Sequence, residues 1–152
     1  MRDGLDEGSA TLVEVAERRA RTEGAEIAFS FLGDGDREPV QVTCAGLDRR
    51  ARAIARLLHE HGGTGTRALL LYPSGLEFVE AFFGCLYAGV VAVPVYPPDP
   101  LRPELTVSRL AGIAGDADVA FVLTTTAFAG AARALGDWAP ALRRLRWLAT
   151  DV

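Results

Sequence analysis

Apolar positions along this chain follow two alternating rhythms, and the changes of rhythm mark the elements. Leu12, Val15, Ala16 and Ala20 keep a helical period. Thr11 and Glu14 stand before them at capping-box spacing, and Gly24 can close the end. Residues 27–32, IAFSFL, and 40–43, VQVT, have strand character and flank GDGDREP, a pattern that predicts a hairpin. Thr43 then caps a long helix in which Leu47, Ala51, Ile54 and Leu58 share one face, with Asp48, Arg49, Arg52 and Arg56 largely outside it. That helix ends at Gly62-Gly63.

Beyond residue 66 the strands lose their alternation. RALLLY, 67–72, is apolar throughout, as a strand covered on both faces must be. Ser74 and Glu77 have the spacing of another capping box, opening a helix over 76–88. A strand over 90–95 follows, read as buried on both faces, with Pro94 implying an irregularity or an edge near its end. It runs into YPPDP. A helix over about 104–114, a buried strand over 119–124, a helix capped by Thr126 to about Leu135, and a strand over 145–150 complete the series. Alternating helices and apolar strands predict an α/β fold: a mainly parallel sheet with helices on both faces, and the N-terminal hairpin beside it or at its edge.

The length of 152 residues suits about one domain, and 49% hydrophobic residues are enough for a real core. The net charge is −4 and no basic stripe is present, which argues against nucleic acid as a partner. All 16 basic residues are Arg, so the chain holds no phosphate-loop lysine, Schiff-base lysine or lysine general base. Residues 1–10 are acidic, lack the apolar segment of a signal peptide and are expected to be a flexible N-terminus. No apolar run reaches the length of a membrane span, so a cytoplasmic protein is expected, with no membrane partner.

Several short patterns invite a chemical reading, and each has a plainer one. GGTGTR, 62–67, resembles a phosphate loop, but it follows a helix and precedes a strand, the reverse of the order that aims helix amides at an anion. YPSGLEF puts Ser74 at a strand-to-helix turn, yet a nucleophile elbow needs Gly where Tyr72 and Leu76 stand, so Ser74 reads as an N-cap. His59 and His61, two apart on a helix, point to different sides and make a poor metal pair. Asp34/Asp36 and Asp116/Asp118 sit in glycine-rich turn contexts. Cys44 and Cys85 read as buried free thiols. Phe78, Phe82 and Phe83 read as core. No catalytic, cofactor-binding or metal-binding residue emerges from the sequence.

Two stretches do carry a resemblance. VTCAGLDRRARAIARLL, 42–58, is similar to the first core motif of the adenylate-forming superfamily, apart from Cys44, where that motif commonly has an aromatic residue. FFGCLYAGVVAVPVYPPDP, 82–100, looks like the second, L-x-A-G-x-x-x-V-P-x-x-P, and its Tyr-Pro-Pro ending resembles the fatty acyl-AMP ligases. The resemblance implies that residues 11–152 are the N-terminal subdomain of an acyl-adenylating domain, truncated at its C-terminal end. It implies a two-step reaction: a fatty acid and ATP, with Mg²⁺, give an acyl-adenylate and pyrophosphate, and the acyl group passes to an acyl carrier protein, commonly one feeding polyketide or peptide assembly. The family's phosphate loop, adenine- and ribose-binding motifs and catalytic Lys come later in such chains. The isolated chain is therefore expected to be inactive, to hold no cofactor and to self-associate through uncovered edges. A CoA ligase, an amino-acid adenylation domain and a non-catalytic interaction module are the alternatives. The proline loop, leaving the carboxyl end of its strand, is expected to be a rigid wall beside a ligand crevice.

Overall fold

The longest helix shows how local sequence sets up the fold. Thr43 is its N-cap, with Oγ1 accepting from the Gly46 amide at 3.1 Å, and the helix runs Cys44–Glu60. Its apolar face, Leu47, Ala51, Ile54, Ala55 and Leu58, is buried. The computed structural model describes residues 10–33, 38–98, 103–130, 137 and 139–152. The expectations for residues 1–9, for Asp34/Asp36 and for a helix reaching Leu135 fall outside these.

In chain order the elements are α1 (Leu12–Thr22), β1 (Ile27–Phe31), β2 (Val40–Thr43), α2 (Cys44–Glu60), β3 (Arg67–Leu71), α3 (Leu76–Ala88), β4 (Val91–Val95), α4 (Pro103–Asp116), β5 (Phe121–Thr124), α5 (Thr126–Ala129), α6 (Pro140–Arg143) and β6 (Arg146–Ala149). The capping box at α1 is complete, Thr11 and Glu14 each serving the other's backbone amide.

β4-β3-β5-β6 form one sheet, in that order, and every pairing is parallel. The central strand β3 is buried on both faces, which explains its unbroken apolar run. Ala68, Leu70 and Tyr72 pack with Ile54, Leu58, Ala81 and Cys85 of α2 and α3 on one face. Leu69 and Leu71 pack with Val107 and Leu110 of α4 and Leu142 of α6 on the other. The fold is thus α/β with a parallel sheet between two helical layers.

The hairpin forms as expected, apart from the parallel sheet rather than at its edge. β1 and β2 make their own antiparallel two-stranded sheet, not an extension of the parallel one. Val42 and Ala28 join a third core cluster with Leu47, Ala51 and Phe83, and Phe29 meets Phe83 at 6.1 Å between ring centroids. Val42 and Ala28 thus pack against α2 and α3, while Ile27 and Val40 stay exposed.

Two of the predicted caps move by one residue. Gly75, not Ser74, is the N-cap of α3, and no side chain caps it. With Gly75 as N-cap the third helical residue is Phe78, so Ser74 and Glu77 cannot form a capping box. At α5 the N-cap is Thr125, whose Oγ1 accepts from the Phe128 amide at 3.3 Å. Thr126 is occupied elsewhere: its amide and hydroxyl both donate to Asp151 Oδ1, at 2.7 and 2.9 Å.

β4 is not buried on both faces. It is an edge strand, and Val91 is 55% exposed. The Val91 amide donates inward to Thr66 O, so alternation turns position 94 toward the open side. Proline there forfeits no ladder bond and blunts the edge. Gly89, at φ 67°, makes the left-handed close of α3 that leads directly into β4. Among the described residues no helix is long and apolar enough to cross a membrane.

Candidate functional site

The connection leaving β3 runs to β4 on one side, and the one leaving β4 crosses back over β3 to β5. The direction of winding therefore reverses between β3 and β5, and such sheets bind ligands outside the carboxyl ends of their strands. At that end a crevice of about 360 Å³ opens one strand over, between the loops that follow β3 and β4. Residues 72–75 and Phe78 line one wall, and residues 94–97 line the other. The proline loop does line a crevice. Tyr96 is held between Val95 and Pro97 with its side chain 92% exposed at the rim. Pro97 restricts the backbone of Tyr96, and Pro94 and Pro97 fix their own φ, so this wall is stiff.

The reversal point itself is closed by hydrogen bonds. Tyr72, only 4% exposed, shares a 2.8 Å hydrogen bond with Thr150 Oγ1 across 78 residues of sequence. Thr150 N donates to Thr124 O at 3.0 Å, and Thr124 Oγ1 donates to Leu71 O at 2.6 Å. Arg50 of α2 donates through Nη2 to Thr150 O at 2.9 Å and through Nε to Glu80 Oε2 of α3 at 3.0 Å. One wall of the crevice is therefore tied to the ends of β5 and β6 and, through Arg50, to the α2–α3 layer.

The electrostatics at this end favour binding over acid–base work. Burial pushes the Tyr72 phenol well above its ordinary range, and the bond to Thr150 only works against that. Burial also pushes the Cys85 thiol up to about 12, so it is no nucleophile at neutral pH. Asp151 is held below the usual carboxylate range: desolvation opposes this, but the Thr126 hydroxyl and amide outweigh it. Ser74 lies exposed on the crevice wall with no histidine near enough to form a bond among the described contacts.

The remaining sequence candidates lie elsewhere. The 62–67 loop sits at the amino end of β3, away from the crevice. The amides of Gly62, Gly63, Gly65 and Thr66 are consumed by backbone carbonyls, so they cannot cradle an anion. His59 Nε2 meets Ala88 O at 3.2 Å, whereas His61 Nδ1 is buried without a partner. Among the described residues no group of three or more His, Cys, Asp or Glu side chains stands close enough to hold a metal ion. Cys44 and Cys85 are buried free thiols, and Phe83 is core while Phe78 reaches the crevice. The Tyr72–Thr150 and Arg50–Thr150 bonds were invisible in the sequence because no local pattern links positions 78 and 100 residues apart.

A parallel sheet wound in both directions, with a crevice at the carboxyl ends of its strands, defines the class of open doubly wound α/β domains that bind ligands at that end. The AMP-binding enzyme family matches residues 16–148, and the chain belongs to it. It is 40% identical over 143 residues to the medium-chain-fatty-acid–acyl-carrier-protein ligase JamA of Moorena producens, covering 93% of this chain and 24% of JamA. It is 36% identical over 148 residues to the long-chain-fatty-acid–AMP ligase FadD32 of Mycolicibacterium smegmatis, covering 95% of this chain and 23% of that one. The fold superposes on the fatty acyl-adenylate ligase of Legionella pneumophila, solved with acyl adenylate and pyrophosphate, with a TM-score of 0.79 and 30% identity over 93% of this chain and 23% of that one. The chain thus spans about a quarter of the length of these two curated relatives.

Proposed function

We propose that residues 11–152 are the N-terminal subdomain of a fatty acyl-AMP ligase. The observation that carries this reading is the 40% identity to a fatty-acid ligase along 93% of the chain. In the proposed reaction a fatty-acid carboxylate oxygen attacks the α-phosphorus of ATP, and pyrophosphate leaves. The phosphopantetheine thiol of an acyl carrier protein then attacks the acyl carbonyl, and AMP leaves. Cytoplasmic location fits the substrates.

This chain's share of the work is binding and shape. The crevice walls, Tyr72, Phe78, Pro94 and Val95, offer apolar surface that stays rigid while a ligand enters. The chain has no lysine, and among its described residues no group of three or more His, Cys, Asp or Glu side chains stands together. No phosphate-handling step is assigned to it, and phosphoryl transfer depends on cations and aimed donors around the phosphate oxygens. Residues 1–152 alone are accordingly proposed to be inactive, and to self-associate through the open edge of β6 rather than the proline-blunted edge of β4.

The test is fatty-acid-dependent pyrophosphate release by the longer protein that contains this chain, across a range of acyl lengths and with a carrier protein as acceptor. Release that depends on both fatty acid and ATP supports the reading. A protein inactive with every fatty acid, but saturable with an amino acid or with CoA as acceptor, replaces it with one of the sister activities.

A further inference from the structure

Tyr72 does two things at once: its ring lines the crevice, and its hydroxyl is the only polar group of the side chain, fixed to Thr150 at 2.8 Å. Thr150 cannot easily drift. Its amide is held by Thr124 O at 3.0 Å and its carbonyl by Arg50 Nη2 at 2.9 Å. Arg50 is in turn fixed by Glu80 on the helix that begins at the crevice wall. The far wall is stiffened independently by Pro94 and Pro97. One wall is thus stiffened by covalent restraint, and the other by core packing around Tyr72 together with this hydrogen bond, the one polar tie from the Tyr72 side chain to the end of β6.

Resting on the proposed ligase function, we propose that the Tyr72–Thr150 hydrogen bond is a positioning device that sets the width of the crevice between the β3 and β4 loops, and thereby the affinity for the apolar substrate that enters it. Tyr72 and Thr150 are positioning residues and touch no reacting atom. The bond joins the ends of β3 and β6, so its loss loosens the wall without removing any apolar surface.

The experiment uses the full-length protein with Tyr72→Phe, Thr150→Val, Thr150→Ser and the double variant Tyr72→Phe/Thr150→Val. Steady-state pyrophosphate release is measured at a temperature below the unfolding transition of every variant, with KM for the fatty acid and kcat read separately. Tyr72→Phe and Thr150→Val each remove the same bond, so each is expected to raise KM for the fatty acid on the order of three- to ten-fold, the span of one hydrogen bond, with kcat within about two-fold of the parent. The double variant should be no worse than either single one, and Thr150→Ser, which keeps the oxygen, should restore the parent KM. Lower unfolding temperatures with an unchanged KM would show a bond that only stabilises the fold, and would overturn the proposal. Additive effects in the double variant, or a raised KM in Thr150→Ser equal to that in Thr150→Val, would overturn it too. If Tyr72→Phe does not fold, Thr150→Val removes the bond from the other side and carries the same comparison. A parent protein that activates no fatty acid sinks the ligase reading instead, a result separate from any difference among variants.

Discussion

Gly84 of α3 lies so close to Ile54 of α2 that a methyl group in its place would sit 2.5 Å from Ile54 Cγ2 and 2.6 Å from Ile54 Cβ. Neither atom is the free end of a long side chain, so the helices must separate to admit it. Gly84→Ala should destabilise the fold by about 1–3 kcal/mol, the range for overpacking a filled core. Urea unfolding measures this. Ile54→Ala in the Gly84→Ala background should relieve only the Cγ2 contact, because alanine keeps Cβ in the way at 2.6 Å. An unaltered midpoint for Gly84→Ala would mean that α2 and α3 do not pack this closely.

The caps give a paired prediction. Thr43 Oγ1 accepts from Gly46 N, whereas no side chain caps α3. Thr43→Ala should cost about 1 kcal/mol, and Ser74→Ala should lie within about 0.5 kcal/mol of the parent. Equal losses in thermal unfolding would restore Ser74 to the capping role that its spacing suggested.

Most of the fold was legible because its signals are local or periodic. The unbroken apolar run of β3 announced a strand covered on both faces, and Leu47, Ala51, Ile54 and Leu58 announced the buried face of α2. What was not legible depends on neighbours. The Val-rich sequence of β4 looks like that of an interior strand, yet the strand lies at an edge, and only Pro94 hinted at it. The hairpin's apolar residues said that it must pack, but not that α2 and α3 would receive it. Ser74 and Thr126 missed their capping roles by one residue, which is the precision of cap patterns without φ and ψ. At the site, the proline loop was visible as a stiff segment at a strand end. The Tyr72–Thr150–Arg50 network was not, since distant polar residues become partners only through the order of the strands.

Stability should fall on the alkaline side. Burial pushes the Cys85 thiol from 9.0 up to about 12, and burial first also lifts the Tyr72 and Tyr87 hydroxyls above their ordinary range. The folded chain holds these protons more tightly than the unfolded one, so unfolding releases protons once the pH passes about 9. The stabilisation is complete below that pH and is lost as the pH climbs toward the folded value. Denaturant midpoints should therefore decline from about pH 9 upward, and Cys85→Ala should make the decline shallower. A flat alkaline profile would place Cys85 in contact with water.

Gly89 closes α3 at φ 67°, with room for a methyl group, its nearest neighbour being Thr64 Cγ2 at 3.6 Å. Strain in the backbone, rather than collision, should then set the effect of Gly89→Ala, at about 1–2 kcal/mol. Gly89→Asn should be milder, because Asn tolerates this region better. If Ala and Asn prove equally harmless in thermal unfolding, the left-handed turn into β4 is not where the structure places it.

The central proposal, that this chain is part of an enzyme that joins fatty acids to AMP, is tested most directly by fatty-acid-dependent exchange of labelled pyrophosphate into ATP. The longer protein containing this chain should catalyse exchange only when a fatty acid is present, and residues 1–152 alone should read background. Exchange driven by an amino acid and not by any fatty acid, or exchange by residues 1–152 on their own, would contradict the account.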